Sequence, residues 1–591
     1  MRKSLILALV AVFILMFAAV SFSAFNTAVK KGEVVDLSLT VSMDLPGWWP
    51  FVVIPYVVAD YNKHDGWRGP YWTRTHIIDS HTATHYDSPQ HFIPPPGFDN
   101  ETYTPFAKDM LAQYEAKYGP RATTAICNDK VPVTQMVGPL RVVDVTHLLG
   151  TVPKDQWATH GGPDITVADV QKHEAKYGPI NAGDVVAFMC KWDKKYQKFP
   201  AGNDYAYNPL VFKTDAWPTP TPECVIYLYD KGVRMLVTDG ASMGDVTGKK
   251  AIFTHWAGLG KEMIYVEAAA NLGAVPADGS AFFCFLPLKT EGASGDIGRA
   301  IAIVGPQAKA LNAAALAGKV VDLTTLLSPN WPCVWPGHFP LKIQIENIWG
   351  PGGPWKSEFK TLDEHPGTHF DSPTHFIPPP GFKIKDYQDA GIQKAAEEIS
   401  KTWASSRGWR VKDDRWPHSD MTSDKVPIEW FCGPLKVVDV GLMEGTAGPG
   451  KRPSVGAQAI LDFEAKYGKI QPGDVVLMRT GYDDKYYLPF PEGSRCVADV
   501  LGGKAEGWPA PNPGLVQFLA DRGVRNFVAD IPSMGGEDWF ATHIVGLSRG
   551  MIYVEMVMNT ADLPNTGAFF IYLSPKTIGS GQAGRAIAIL P

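Results

Sequence analysis

Two stretches of the chain, residues 81–98 and 365–382, hold six of its 15 histidines in one shared pattern, H-x-x-x-H-x-D-x-P-x-H-F-I-P-P-P-G-F. They read HTATHYDSPQHFIPPPGF and HPGTHFDSPTHFIPPPGF. Imidazoles and a carboxylate at this density are ligands for a divalent ion or members of a proton-transfer set. His81, His85, Asp87 and His91 are all odd-numbered, so a straight strand would present them on one face. That strand would span roughly 20 Å from His81 to Asp87, whereas ligands of one ion lie about 2.0–2.2 Å from it. Sharing an ion requires the chain to fold back between them. Pro366-Gly367 is suitable turn chemistry. The first stretch has Thr82-Ala83 instead, where a positive φ is less favourable.

A second pair of positions recurs with them. THWAGLGKEMIYVE places His255 twelve residues before Glu267, and THIVGLSRGMIYVE places His543 twelve before Glu555. Imidazole plus carboxylate without thiolate suits Zn, Mn or Fe(II). A catalytic zinc typically takes three protein ligands and keeps an open position. Five candidate ligands exceed that number. Either two ions share a bridging carboxylate, or some members stand behind the ligands and orient them. Hydrogen-bonded core histidines are the bland alternative. Six matched positions in two diverged stretches argue against it.

The elements that must position these residues are themselves repeated. NTAVKKGEVVDL from Asn26 matches NAAALAGKVVDL from Asn312, and DKVPVTQMVGPLRVVDV from Asp129 matches DKVPIEWFCGPLKVVDV from Asp424. EAKYGPINAGDVV from Glu174 matches EAKYGKIQPGDVV from Glu464, and GRAIAIV from Gly298 matches GRAIAIL from Gly584. Each copy is far too long for a solenoid unit. The 591 residues therefore divide into two domains, not the roughly four that length alone implies. The expected boundaries are a signal peptide over 1–24, a first domain over 26–305, an Ala-rich linker over 306–318 and a second domain over 319–591. Within a copy, short β-branched runs such as LRVVDV and GDVVAFM are bounded by Gly, Pro or Asp, as strands should be. TVADVQKHEAKYG and SVGAQAILDFEAKYG read as helices ending at a glycine cap. Segments 99–128 and 383–423 are rich in helix formers and differ in length, which fits lids over the sites or surface decoration.

The N-terminus has the order of an export signal. Arg2 and Lys3 precede an apolar run from Leu5 to Val20 and then the small residues SFSA, with cleavage expected near Ser23 or Ala24. An uncleaved anchor is the alternative, although the run falls short of the about 20 residues of a bilayer span. The expectation is an exported protein, periplasmic or extracellular, with no membrane span after cleavage. A net charge of −6 without a basic stripe excludes a nucleic-acid binder. The seven cysteines form no C-x-x-C and none recurs between copies, so they read as small buried residues.

H-x-x-x-H-x-D-x-P-x-H followed by H-x11-E resembles the cyclase family of metal-dependent hydrolases, which includes bacterial kynurenine formamidase and isatin hydrolase. The similarity runs through each copy: the opening V-D-L, Trp49-Pro50 and Trp335-Pro336, the His/Asp motif, GDVV, the D-x-x-S segment and the His/Glu pair. It implies an α/β fold, a tandem duplication of a cyclase-like domain of swivelling β/β/α type with a mixed β-sheet, forming a pseudo-two-fold pair. Further homo-oligomerisation stays open. By position it implies metal ligands His81, His85, Asp87, His255 and Glu267 in the first copy, and His365, His369, Asp371, His543 and Glu555 in the second. His91 and His375 match the catalytic histidine. Trp49 and Trp335 match a substrate-contacting aromatic, with a packed core role as the alternative. Ser242 and Ser533 sit in matching turns, to bind substrate or to stabilise the loop. The implied cofactor is a divalent metal, Zn or Mn foremost, with one or two ions per domain. The family's usual glycine before Thr84 is Ala83 here.

The implied function is an exported metal-dependent amidohydrolase, arylformamidase-like, acting on a small aryl formamide or cyclic amide. Metal-bound water would attack the carbonyl while His91 or His375 moves the proton. A lactone hydrolase or a cyclase-type dehydratase of the same family is the alternative. A non-catalytic periplasmic metal- or ligand-binding protein is the alternative of another class, and the intact proton-transfer histidines argue against it. Both sets of site residues are complete although their neighbours have drifted, which predicts two working sites.

Overall fold

The computed structural model describes residues 25–51, 53–403 and 416–591; the expected signal peptide lies outside them. In the first copy the strands Val137–Asp144, Val185–Met189, Met235–Thr238 and Ile264–Glu267 lie side by side and parallel. Parallel strands are covered on both faces and read as continuous apolar runs, and the last three are buried at every residue. The helices Val167–Tyr177, Pro222–Asp230 and Lys249–Leu259 return the chain between strands. Val167–Tyr177 opens on a capping box between Thr166 and Asp169 and stops at Gly178, whose φ is +88°. Its counterpart Gln458–Tyr467 stops at Gly468, with φ +92°. Both are the helices read from the sequence.

On the other side of Val137–Asp144 the sheet turns antiparallel, through Asp278–Pro287 and Gly295–Ile303. Gly295–Ile303 also pairs with the three-residue strand His85–Asp87, which pairs on its other edge with Ile264–Glu267. The mixed sheet thus closes on itself, barrel-like. The second copy does the same: His369–Asp371 lies between Ile552–Glu555 and Gly581–Ala583. The short His-x-Asp strand is the closing element in each copy, fixed on both edges by main-chain pairing.

A separate four-stranded antiparallel sheet joins the copies. Its strands are Lys342–Ile348, Lys356–Asp363, Thr73–Asp79 and Val57–Asn62, in that order. In the central pair Thr361 faces Ile77 and Leu362 faces His76. Thr361 and Ile77 are equivalent positions of the repeat, so the register is unchanged when the copies are exchanged. One hydrophobic cluster contains Phe283, Phe285 and Ile301 of the first copy together with Phe569, Ile571 and Ile587 of the second. The Ala-rich linker folds as the helix Ala308–Leu316, and Ala308 and Leu311 are buried in that same cluster.

The segments read as lids or decoration form the helices Pro105–Tyr118 and Ala390–Trp403. Tyr114 packs on Phe253 and Trp256, at 5.6 and 5.3 Å, on the helix that carries His255. Tyr387 and Trp416 pack on Phe540, on the helix Trp539–Leu547 that carries His543. They brace these helices from outside. Among the described residues, none of 383–423 lines the second copy's cavity. All seven cysteines are buried free thiols. Among the described residues no helix is long and apolar enough to cross a membrane.

Candidate metal centre

Each closing strand is entered through a tight turn. Thr73–Asp79 ends two residues before His81, and the chain folds back before His85–Asp87 begins. Ala83 takes φ +51° and Gly367 takes +55°. The left-handed region costs a residue with a Cβ about 1–2 kcal/mol. Local crowding decides which copy can hold that Cβ. At Gly367 it would meet Leu327 and Thr325 at 2.7 and 2.8 Å. Both turns are tied in the same way, the Ala83 N–H donating to the Gly47 carbonyl at 2.5 Å and the Gly367 N–H to that of Cys333 at 2.6 Å.

The fold-back brings the predicted residues together. In the first copy Asp87 Oδ1 lies 3.6 Å from His81 Nε2 and 3.7 Å from His85 Nε2. Asp87 Oδ2 lies 3.2 Å from His255 Nε2. Glu267 reaches His85 Nε2 and His255 Nε2, both at 3.4 Å. His91 Nε2 is 4.0 Å from Asp87, its ring stacked on His81 at 4.1 Å. The second copy repeats the arrangement. Asp371 lies 3.5, 3.7 and 3.6 Å from His365, His369 and His543, and Glu555 lies 3.3 and 3.8 Å from His369 and His543. His375 Nε2 is 4.0 Å from Asp371.

The ring orientations are fixed from behind. His85 Nδ1 donates to the Ala83 carbonyl at 2.8 Å and His255 Nδ1 to that of Ala251 at 2.6 Å. His369 and His543 do the same to Gly367 and Trp539. A donor at Nδ1 leaves the Nε2 lone pair free and aimed inward. Asp79 stands 3.5 Å behind His81 Nδ1, and Asp363 stands 3.4 Å behind His365 Nδ1. Each helix carrying the fourth histidine therefore contributes both a ligand and the carbonyl that aims it.

This donor set fits a divalent ion. Ligands each about 2.1 Å from one ion lie about 3–3.6 Å apart, close to the separations seen. His81 Nε2, both oxygens of Asp87, His365 Nε2 and Asp371 Oδ1 are buried without a hydrogen-bond partner, which a native site does not leave uncompensated. Burial opposes charge on His255, but Asp87 and Glu267 outweigh it and push its pKa up to about 10. Glu555 and Asp371 likewise push His369 up to about 9 against burial. Two carboxylates in a dry site attract positive charge, from protons or from a metal that replaces them. Asp87 belongs to two ligand groups, one with His81 and His91 and one with His85 and Glu267, so one or two ions per copy are compatible with it. Purified protein should carry about two to four divalent ions per chain. Elemental analysis checks this; metal-free protein that also fails to take up added Zn or Mn overturns the assignment.

Burial first, and then His81, hold His91 down to about 3. His375 lies well below its ordinary value for the same reason, with His365 the neighbour. Both rings are therefore neutral, with Nε2 unprotonated. Their Nδ1 atoms are held across the junction between copies. His91 Nδ1 donates to the Lys356 carbonyl at 2.7 Å, and His375 Nδ1 to the Trp72 carbonyl at 2.8 Å. These contacts are not legible in the sequence, because a main-chain carbonyl leaves no residue signature. Asp79 and Asp363 do leave one, a D-x-H spacing matched between the copies.

The remaining predicted residues divide. Trp335 lines a cavity of about 400 Å³ whose wall contains His365, His369, Asp371, His375, His543 and Glu555. Trp49 lines a smaller cavity with His81 and His85. Each is half-buried and meets a core tryptophan edge-on, Trp217 at 6.0 Å and Trp508 at 6.2 Å. Ser533 lines the large cavity. Ser242 instead donates to Glu267 Oε1 at 3.1 Å and accepts from the Gly244 N–H. The adjoining Met243 and Met534 N–H groups donate to Glu267 and Glu555 at 2.6 Å. In the first copy the serine turn positions a carboxylate.

A family model described as putative cyclase matches residues 35–245 and 321–535. Isatin hydrolase of Roseibium aggregatum is 28% identical over 298 residues, which is 48% of this chain and 96% of that protein. Among solved structures, an isatin hydrolase bound to the product analogue thioisatinate is 23% identical, covering 48% of this chain and 97% of its own, with a TM-score of 0.37. Isatin hydrolase A from Ralstonia solanacearum is 21% identical over 48% of this chain and 97% of its own, with a TM-score of 0.35. Each of these relatives thus spans about one copy. With two matched regions that together span most of the sequence, the chain belongs to the putative cyclase family, of which it carries two tandem copies.

Proposed function

We propose that the protein is an exported metal-dependent amidohydrolase that opens small aryl formamides or cyclic amides. The observation that carries this reading is the placing of a neutral, carbonyl-anchored histidine 4.0 Å from the carboxylate at the centre of each ligand set. With five other donors in each copy to hold an ion, this histidine is available to move a proton. The likeness to isatin hydrolase supports a cyclic or aryl amide, and the tryptophans of the second cavity suit a flat aromatic ring. A divalent ion, when bound by His81, His85, Asp87, His255 and Glu267 or by their counterparts, supplies Lewis acidity that makes water acidic enough to lose a proton near neutral pH. His91 or His375 takes that proton at Nε2 and returns it to the leaving nitrogen. Lys356 and Trp72 hold the ring so that the Nε2 lone pair faces the reacting atoms. Zn or Mn suits the donor set.

The copies form an internal pseudo-two-fold pair in this reading, each completing the other's site. The self-complementary strand register and the reciprocal carbonyl contacts support it. Export rests on the signal-like N-terminus. The test is a substrate panel of formanilides, isatin and lactones, with and without chelator. Chelator-sensitive hydrolysis of at least one amide is expected. Turnover absent on every ester and amide, despite stoichiometric metal, favours a binding protein.

A further inference from the structure

The two ligand sets match, but the walls around them differ in charge. Arg452 lines the second copy's cavity, its guanidinium 4.6 Å above the Trp508 ring. Its side chain is 13% exposed, and its Nε is buried without a partner. Among the described residues its one ion-pair contact is long, 3.8 Å to Glu537, an exposed carboxylate that Lys451 approaches more closely at 3.3 Å. A second arginine reaches the same cavity from the other copy. Arg68 is stacked 4.2 Å from Tyr61 and donates to the Gly337 carbonyl at 3.0 Å.

Neither cation has a counterpart around the first site. Pro453 and Pro163 accept equivalent hydrogen bonds, from the N–H groups of Ala510 and Thr219, so Arg452 corresponds to Gly162. Asn62 donates to the Gly69 and Tyr71 carbonyls as Asn347 does to those of Gly353 and Trp355, so Arg68 corresponds to Gly352. The exchange is compensated. A Cβ at Gly536 would meet the Arg452 Cβ at 3.5 Å, and the first copy carries Asp245 at that position. One wall has gained a cation beside a glycine, and the other has a carboxylate beside a glycine.

We infer that the second copy's site selects aryl amides bearing a carboxylate, held by Arg452 and Arg68, while the first takes uncharged ones. A guanidinium with a free, desolvated donor edge pairs with a carboxylate through charge-assisted hydrogen bonds. The stacked aromatic rings keep both cations in place without cancelling their charge. The inference rests on the hydrolase reading for its substrates, not for the anion site itself.

The test compares formanilide with ring-carboxylated formanilides in the His91→Ala and His375→Ala variants. The kcat/KM ratio of charged to neutral substrate should be about tenfold higher in His91→Ala, where the second site remains, than in His375→Ala. Adding Arg452→Gly to His91→Ala should remove that advantage, as should Arg68→Gly, and Arg452→Lys should keep part of it. Benzoate binding to the protein as purified, read by quenching of tryptophan fluorescence, should weaken about tenfold in Arg452→Gly and weaken with added salt in the parent. Equal ratios in the two histidine variants, or benzoate binding unchanged by both arginine variants, overturns the inference. Arginine-dependent benzoate binding in a protein that hydrolyses no amide supports the anion site while sinking the amide reading.

Discussion

The double variant His91→Ala/His375→Ala should lose about 10²–10⁴ in kcat, the usual share of a general acid–base group, while each single variant keeps the turnover of the other site. Both histidines have the same geometry: Nε2 4.0 Å from the central carboxylate and Nδ1 on a carbonyl of the opposite copy. His81, His85, Asp87, His255, Glu267 and their counterparts remain in place to hold an ion in each copy. Each variant should therefore keep at least one ion per copy, which separates lost proton transfer from a site emptied of metal. The measurement is initial rate on the amide panel, each variant checked by elemental analysis. If one single variant abolishes turnover of every substrate and the other leaves all of it, only one copy is an enzyme.

Lys360→Met should destabilise the protein by about 3–5 kcal/mol at pH 8, the cost of stranding a buried ion-pair partner. Lys360 sits on the inter-copy sheet and reaches Asp296 of the first copy at 2.8 Å, with both side chains fully buried. Its Nζ also donates to Ser80 Oγ, which donates in turn to Glu358 at 2.6 Å. Without the ammonium, Asp296 must be buried charged or take up a proton. Burial already raises its pKa to about 6 with Lys360 opposing. An aspartate raised in the folded state and ordinary in the unfolded state weakens folding as pH climbs from about 4 through the folded value. The loss should therefore be smallest near pH 3 and below, where the carboxyl is mostly neutral in both states, and largest above pH 6. Urea denaturation at several pH values reads this. The double variant Lys360→Met/Asp296→Leu should recover most of the loss, because replacing both partners avoids the stranded charge. A Lys360→Met variant as stable as the parent at pH 8 would show that this network does not hold the copies together.

Much of the architecture and all the ligand candidates were legible in the sequence because the chain is internally duplicated. Drift between copies marks what is free to change, and His81/His365 through Glu267/Glu555 stand out against it. Helix ends were legible where glycine needs a positive φ, at Gly178 and Gly468. The fold-back before His85 was legible from distance alone, since no straight strand can bring His81 and Asp87 to one ion. Ala83 showed the limit. Whether a Cβ fits at positive φ depends on residues far away in the sequence, as Leu327 and Thr325 do at Gly367, and no local rule contains that pairing. The bracing helices were seen as helices but not placed, because an amphipathic segment does not say which surface it covers. Ser242 was seen as a site residue, but its partner Glu267 lies 25 positions away across a strand.

The contacts at Trp72 and Lys356 bear on how such a duplicated chain can evolve. Both residues do the same task, yet one is tryptophan and the other lysine. Since the carbonyl does this work, the contact itself makes no demand on the side chain, which in each copy serves a separate partner, Asp60 for Trp72 and the Gly292 carbonyl for Lys356. The converse holds for the backbone. An insertion or deletion in either strand would shift the carbonyl past its histidine and damage the site of the opposite copy. Substitutions in each copy can therefore accumulate independently, whereas changes of length in these strands are felt by both copies at once.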